Sequence, residues 1–232
     1  MSVKNPEFDQ YAGSYDEALG RGLSATGESR EYFAERRVRW LGQCLSELAP
    51  SPRVDAILDY GCGTGSTVPL LRGIAPTSRV LGVDPSGESI EVARQTFATH
   101  GDFLELGEYR PSAGFCLAYC NGIFHHIIPE ERLEAAQNVR NSLRPGGLFS
   151  FWENNPWNPG TRWVMSRIPF DRDAIPLSYR EAKRLVWAAG FEILRVDFLF
   201  LFPKFLRPLR AIEQRLSRFP AGAQYQILCR RR

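Results

Sequence analysis

Short apolar runs and stretches of helically spaced apolar residues alternate along most of this chain. From position 54 onward, the runs at 56–60, 79–84, 102–106, 115–121, 147–153, 192–202 and 223–229 predict strands. Between them Ile90, Ala93 and Phe97 recur at helical spacing, as do Leu133, Ala136, Val139 and Leu143. Pro129 followed by Glu130 and Glu131 predicts a helix start, with proline in the first turn and acids at the positive end of the helix dipole. Ser178 and Glu181 have capping-box spacing, and the helix they open should stop at Gly190. Strands alternating with helices predict an α/β fold with a doubly wound, mostly parallel sheet.

Two stretches stand outside the alternation. Residues 1–53 contain a tyrosine-bearing start and a helix around 32–48. Residues 154–177 form a Pro- and Trp-rich insert after the fifth strand. Loops this long inside a domain are usually functional covers. The expectation is one domain over 1–232: an N-terminal cover (1–53), a ligand-binding half (54–153), a lid (154–177) and a C-terminal sheet edge (178–232).

Composition narrows the class. The 232 residues are 44% hydrophobic, enough for a core, and the net charge of +3 is too small to argue for a nucleic-acid partner. Five cysteines without a C-x-x-C pair and only three histidines argue against a structural zinc site, so no metal is expected. Free thiols fit a reducing cytoplasm. The start of the chain has no apolar signal core, and the run at 198–203 is far short of the ~20 residues that span a bilayer.

The chemistry concentrates in I-L-D-Y-G-C-G-T-G-S, residues 57–66. A strand delivers Asp59 into a turn with Gly61, Gly63 and Gly65, and a helix can begin just beyond. This geometry lets backbone approach a nucleotide closely. Ser66 stands where a dinucleotide fingerprint needs glycine, and no Gly-Lys-Ser/Thr phosphate loop is present. Asp59 would repel a pyrophosphate but suits an ammonium beside an adenosine, as in S-adenosylmethionine. Asp84 ends the second strand nineteen residues after Gly65, where an acid can accept both ribose hydroxyls. The alternative for Asp84 is a helix N-cap, since Pro85, Ser86 and Gly87 follow.

The D-x-G-x-G-x-G motif resembles the first motif of class I S-adenosylmethionine-dependent methyltransferases. Further stretches in order over 54–153 resemble the same family, including F-C-L-A-Y-C-N-G-I-F-H-H-I and L-R-P-G-G-L-F-S-F. Within it, F-D-Q-Y-A-G-S-Y-D at 8–16 resembles the type 11, quinone-biosynthesis-like branch. The resemblance implies a seven-stranded Rossmann-like methyltransferase fold with an antiparallel last strand, and S-adenosylmethionine as cofactor. It implies cofactor contacts from Tyr11, Asp59, Gly61, Gly63, Gly65, Asp84, Pro85, Ser86, Glu108 and Asn121. Cys116 departs from the family's frequent aspartate.

Methyl transfer requires an aligned nucleophile, exclusion of water and, for a protonated acceptor, a base. His125 and His126 follow the fourth strand, and His126 is placed ahead of His125 as that base, with Glu153 as an alternative acid. Trp157, Trp163, Met165 and Phe170 suggest a roof over an apolar or ring-bearing small-molecule acceptor. Residues 198–219 mix large apolar side chains with Arg207, Arg210, Arg215 and Arg218, a pattern that can lie on an anionic membrane surface or pack on its own sheet. A non-catalytic cofactor-binding protein and, behind it, an RNA methyltransferase are the competing functions.

Overall fold

The computed structural model describes residues 26–48, 53–171 and 174–232. Tyr11 lies outside them. The chain folds in the order α1 (Arg30–Ser46), β1 (Ala56–Tyr60), α2 (Val68–Ile74), β2 (Arg79–Asp84), α3 (Gly87–Phe97), β3 (Asp102–Glu105), β4 (Phe115–Asn121), α4 (Arg132–Ser142), β5 (Leu143–Asn154), α5 (Pro159–Met165), α6 (Tyr179–Ala188), β6 (Phe191–Leu199) and β7 (Gln224–Arg231). Short 3-10 segments occupy Pro169–Asp171 and Lys204–Leu216. The sheet order is β3-β2-β1-β4-β5-β7-β6. Strands β1 to β5 are parallel, and β7 inserts antiparallel between β5 and β6.

All five residues of β1 are buried because helices cover both faces of the sheet. Its side chains alternate between two cores: Ala56, Leu58 and Tyr60 join the one that α4 and α6 cover, while Ile57 joins the one under α1, α2 and α3. The same period of two turns Asp59 toward α1. On β4, Leu117 and Tyr119 share that face, which places Asn121 there as well. Because strand order reverses between β1 and β4, the C-terminal ends of these two strands open a crevice at the switch point.

The strand and capping expectations agree closely with these elements. Ser178 caps α6 in a reciprocal capping box, and Gly190 follows the helix at φ +92°. Three details differ. Helix α4 starts at Arg132, with Pro129 and Glu130 in the turn before it; Leu133 is exposed and Leu143 already opens β5. Pro145, Gly146 and Gly147 lie within β5, in a bulge that moves the pairing from Phe115–Leu143 to Leu117–Leu148. Strand β6 ends at Leu199, because Phe200 turns to φ +63° and leaves the ladder.

Candidate functional site

At the mouth of the crevice the chain leaves β1 in a turn held by Gly61 and Cys62 N–H groups, both donating to Val83 O. Gly61, Gly63 and Gly65 all have positive φ, at 78°, 52° and 80°. Two of them show different requirements. A side chain at Gly61 would run into Ile123, whereas nothing lies within 4 Å of the position a Cβ would take at Gly63. Gly61 is therefore dictated by packing, and Gly63 borders open space where a ligand can meet backbone.

Asp84 braces this turn. Its Oδ2 accepts from Gly63 N at 2.8 Å and its Oδ1 from Ser86 N at 3.0 Å. The cap of α3 belongs to Ser86, whose hydroxyl accepts from Ser89 N at 3.1 Å, so Asp84 is free of the N-cap role. Ser86 is 1% exposed, and Pro85 lies between the two. Glu108 is exposed in the turn after β3, its N–H donating to Glu105 O at 3.0 Å.

Three buried groups near the switch point lack complementary partners among the described residues. Asp59 is 2% exposed and its Oδ2 accepts no hydrogen bond; Asn121 Oδ1 is likewise buried and unpaired. Burial, then the nearby Asp84, pushes the Asp59 carboxyl up to about 7, with Arg37 opposing. Arg37 of α1 is 6% exposed and donates to neutral groups, Tyr119 Oη at 3.1 Å and Gln224 Oε1 at 3.0 Å. Asp59 lies within reach of its charge, but among the described residues no carboxylate hydrogen-bonds this guanidinium, which is costly unless a ligand supplies the anion. Two hungry acceptors and one unmatched cation together complement an ammonium and a carboxylate, the two charges of an α-amino acid.

Beyond Asn121 the chain turns through Gly122 into the histidine pair. His125 is 3% exposed; its Nδ1 lies 2.6 Å from Glu153 Oε2, while Glu153 Oε1 accepts from Phe124 N at 2.7 Å. Glu153, 1% exposed, thus faces His125 and a backbone amide and is not itself a base in the crevice. His125 Nε2 and His126 Nε2 approach Asp171 Oδ1 at 3.5 and 3.4 Å. Burial opposes charge on His125, but Glu153 and Asp171 outweigh it and raise the imidazole to about 10. His126 is shifted the other way, by burial first and by the His125 charge, against the pull of Asp171. The two acids thus favour the charged form of His125, while burial and that charge disfavour a second cation at His126. The three side chains also have metal-ligand spacing, with ligand atoms within 4.8 Å of one another.

Both histidines line a cavity of about 380 Å³ beside the switch point. Much of its wall comes from Arg30, Phe33 and Arg37 of α1, from Thr161, Trp163 and Met165 of α5, and from residues 200–203 with Phe205. The insert is thus a wall of the cavity, with α5 capped by Asn158 and fixed by Thr161 Oγ1 donating to Ala223 O at 2.8 Å. Trp157 lies outside the lining, against Tyr179 at 4.9 Å between ring centroids. Sequence reasoning did not single out Arg37 or Asp171. Arg37 carried a signal, a basic residue in the apolar stripe of Ala34, Val38 and Leu41. Asp171 carried none, since its segment has no period.

Residues 57–147 match the family model of the methyltransferase domain. The trans-aconitate 2-methyltransferase of Rhodopseudomonas palustris is 28% identical over 140 residues, which are 60% of this chain and 53% of that protein. The malonyl-[acyl-carrier protein] O-methyltransferase of Halalkalibacterium halodurans is 29% identical over 127 residues, 51% of this chain and 45% of its own length. The chain thus spans about half the length of these curated relatives. An S-adenosylmethionine-dependent methyltransferase of Thermotoga maritima has the same fold, with a TM-score of 0.66 at 20% identity, covering 97% of this chain and 98% of that one.

Proposed function

We propose that this chain, whose residues 57–147 match the methyltransferase domain model, transfers the methyl group of S-adenosylmethionine to a small-molecule acceptor held in the cavity of about 380 Å³. The observation that carries the reading is the set of unmatched buried groups, Asp59 Oδ2, Asn121 Oδ1 and the Arg37 guanidinium, at the strand ends beside the glycine turn. Asp59 and Asn121 would accept from the ammonium of the cofactor and Arg37 would hold its carboxylate. Asp84 would take the ribose hydroxyls, and the backbone at Gly63 would lie against the nucleoside. Bound there, the cofactor supplies a methyl group activated by a sulfonium.

The residues of the chain do the rest. Phe33, Met165, Ile168 and Phe200 exclude water from the cavity and favour an acceptor with an apolar or ring-bearing part. With its Nε2–H directed at Asp171, which orients the ring, His126 takes the proton of an acceptor that carries one at Nδ1. Glu153 fixes the neighbouring His125 and so keeps the positive charge next to His126 that holds His126 neutral. Of the curated relatives, one is named for trans-aconitate and one for malonyl-[acyl-carrier protein]; the first supports an acceptor of small-molecule size.

The test mixes purified protein with methyl-labelled S-adenosylmethionine and fractionated metabolite extract. A labelled product is expected. His126→Gln should lower turnover by about 100-fold or more while leaving cofactor affinity within about twofold. Tight cofactor binding with no labelled product from any fraction would replace the enzyme reading with a binding protein. Full turnover in His126→Gln would remove the base.

A further inference from the structure

The segment Lys204–Leu216, kinked at Leu206 and carrying Pro208, is arranged inside out. Its inward side is polar. Glu213, 3% exposed, accepts from Leu201 N at 2.6 Å and pairs with Arg36, while Arg210 pairs with Glu28 at 2.8 Å. Its outward side is apolar. Phe205, Leu209, Ile212, Leu216 and then Phe219 recur every three or four residues and are 80, 43, 45, 36 and 64% exposed. A surface helix ordinarily points such a stripe at its own core. Here the core-facing side is held by ion pairs, and the stripe is left to meet something else.

Charge says what it meets. Lys204, Arg207 and Arg215 are exposed beside the stripe, with Arg218 reaching back toward Asp197 at 3.5 Å. Glu213 is the single acid between positions 200 and 219, and it is turned inward. The outward surface therefore joins large apolar side chains to cations with no acid among them. A layer of anionic headgroups over an acyl interior complements both features at once. No helix of the described residues is long and apolar enough to cross a membrane, so the contact is peripheral.

We propose that residues 204–219 dock on an anionic bilayer surface, with Phe205, Leu209, Ile212 and Phe219 sunk at the headgroup boundary and the basic side chains on phosphates. Phe202, Pro203 and Phe205 also line the cavity, so the docked segment borders it. The surface stands independently of the methyl-transfer reading, because it is argued from exposure and charge alone.

Sedimentation of the full chain with vesicles tests it, using phosphatidylcholine alone and phosphatidylcholine mixed with phosphatidylglycerol. Binding to the mixed vesicles is expected, weakened by added salt. The variant Arg207→Glu/Arg215→Glu should bind about tenfold or more weakly. Phe205→Ser/Phe219→Ser should also release the protein from mixed vesicles; thermal unfolding near the parent's would show that each variant is folded. Absence of binding to the mixed vesicles overturns the proposal. So does equal binding to both vesicle types that the charge reversals leave unchanged. If the parent chain instead self-associates in light scattering without binding vesicles, and the serine variant is monomeric, a second copy is the occupant and the lipid proposal falls.

Discussion

Asp59 occupies a strand position that packing alone would give to an apolar side chain, and its carboxyl, 2% exposed, waits without a partner for Oδ2. Raised from 3.8 to about 7, it holds a proton in the folded protein that the unfolded chain releases. The sign follows directly: this group favours the ligand-free fold below about pH 4, and that contribution fades as pH climbs toward 7. An ammonium ligand reverses the preference, since it binds the carboxylate. Affinity for S-adenosylmethionine should therefore strengthen from pH 5 to pH 8 with a midpoint near 7. In Asp59→Asn, calorimetric titration should show affinity lower by about 30-fold or more at pH 8 and no such rise with pH. A wild-type affinity flat across this range would remove Asp59 from the ammonium site. Asp59 and Asp84 were legible in the sequence because an acid at a strand end beside a glycine turn has few structural uses. Arg37 showed only as a basic residue in an apolar stripe, because its meaning comes from Tyr119 and Gln224, 82 and 187 residues away.

At the scale of elements, the loop after β4 and the end of β5 are joined by one side chain. Glu153 takes both the Phe124 amide and the His125 ring, and so sets the loop that carries His126. Removing one partner of a buried ion pair typically costs about 3–5 kcal/mol. Glu153→Gln should lose most of that in urea unfolding at pH 7. Its pH profile offers the sharper reading. His125 is raised from 6.5 to about 10, so its stabilisation is complete below pH 6.5 and is lost as pH rises toward 10. Wild type should therefore weaken between these values and Glu153→Gln should weaken much less; parallel profiles would show that the pair is not ionic. This joint was illegible in the sequence, where Glu153 looked like an acid facing the crevice. A strand's period tells which face a side chain takes, but not whether a loop has closed over it. The strands themselves were legible for the opposite reason, since β1 and β4 are buried on both faces and read as continuous apolar runs.

At the scale of the molecule, α1 is a cover fastened to the far, antiparallel edge of the sheet. Asp197 on β6, fully buried, accepts from Trp40 Nε1 of α1 at 3.3 Å and from Arg195 Nε at 2.6 Å, while Arg195 Nη1 reaches Glu47 at 2.6 Å. The same helix carries Arg37 to the switch point and Phe33 to the cavity wall. Fold stability and the proposed cofactor site therefore share an element whose anchor lies away from the crevice. Asp197→Asn takes from the half-buried Arg195 its buried anion and leaves it only the more exposed Glu47, and should cost about 1.5–3 kcal/mol in urea unfolding. Hydrogen exchange adds the readout that separates a general loss from a local one. Amides of 30–46 should exchange faster relative to those of β1 and β4, and affinity for S-adenosylmethionine should fall with them, because Arg37 is held less firmly. Asp59→Asn is the matched control, lowering affinity while α1 exchange stays at the wild-type level. If Asp197→Asn speeds exchange evenly across the sheet, or frees α1 without touching affinity, then α1 is a lid over the core alone, and Arg37 is held by Tyr119 and Gln224 without help from the helix that bears it.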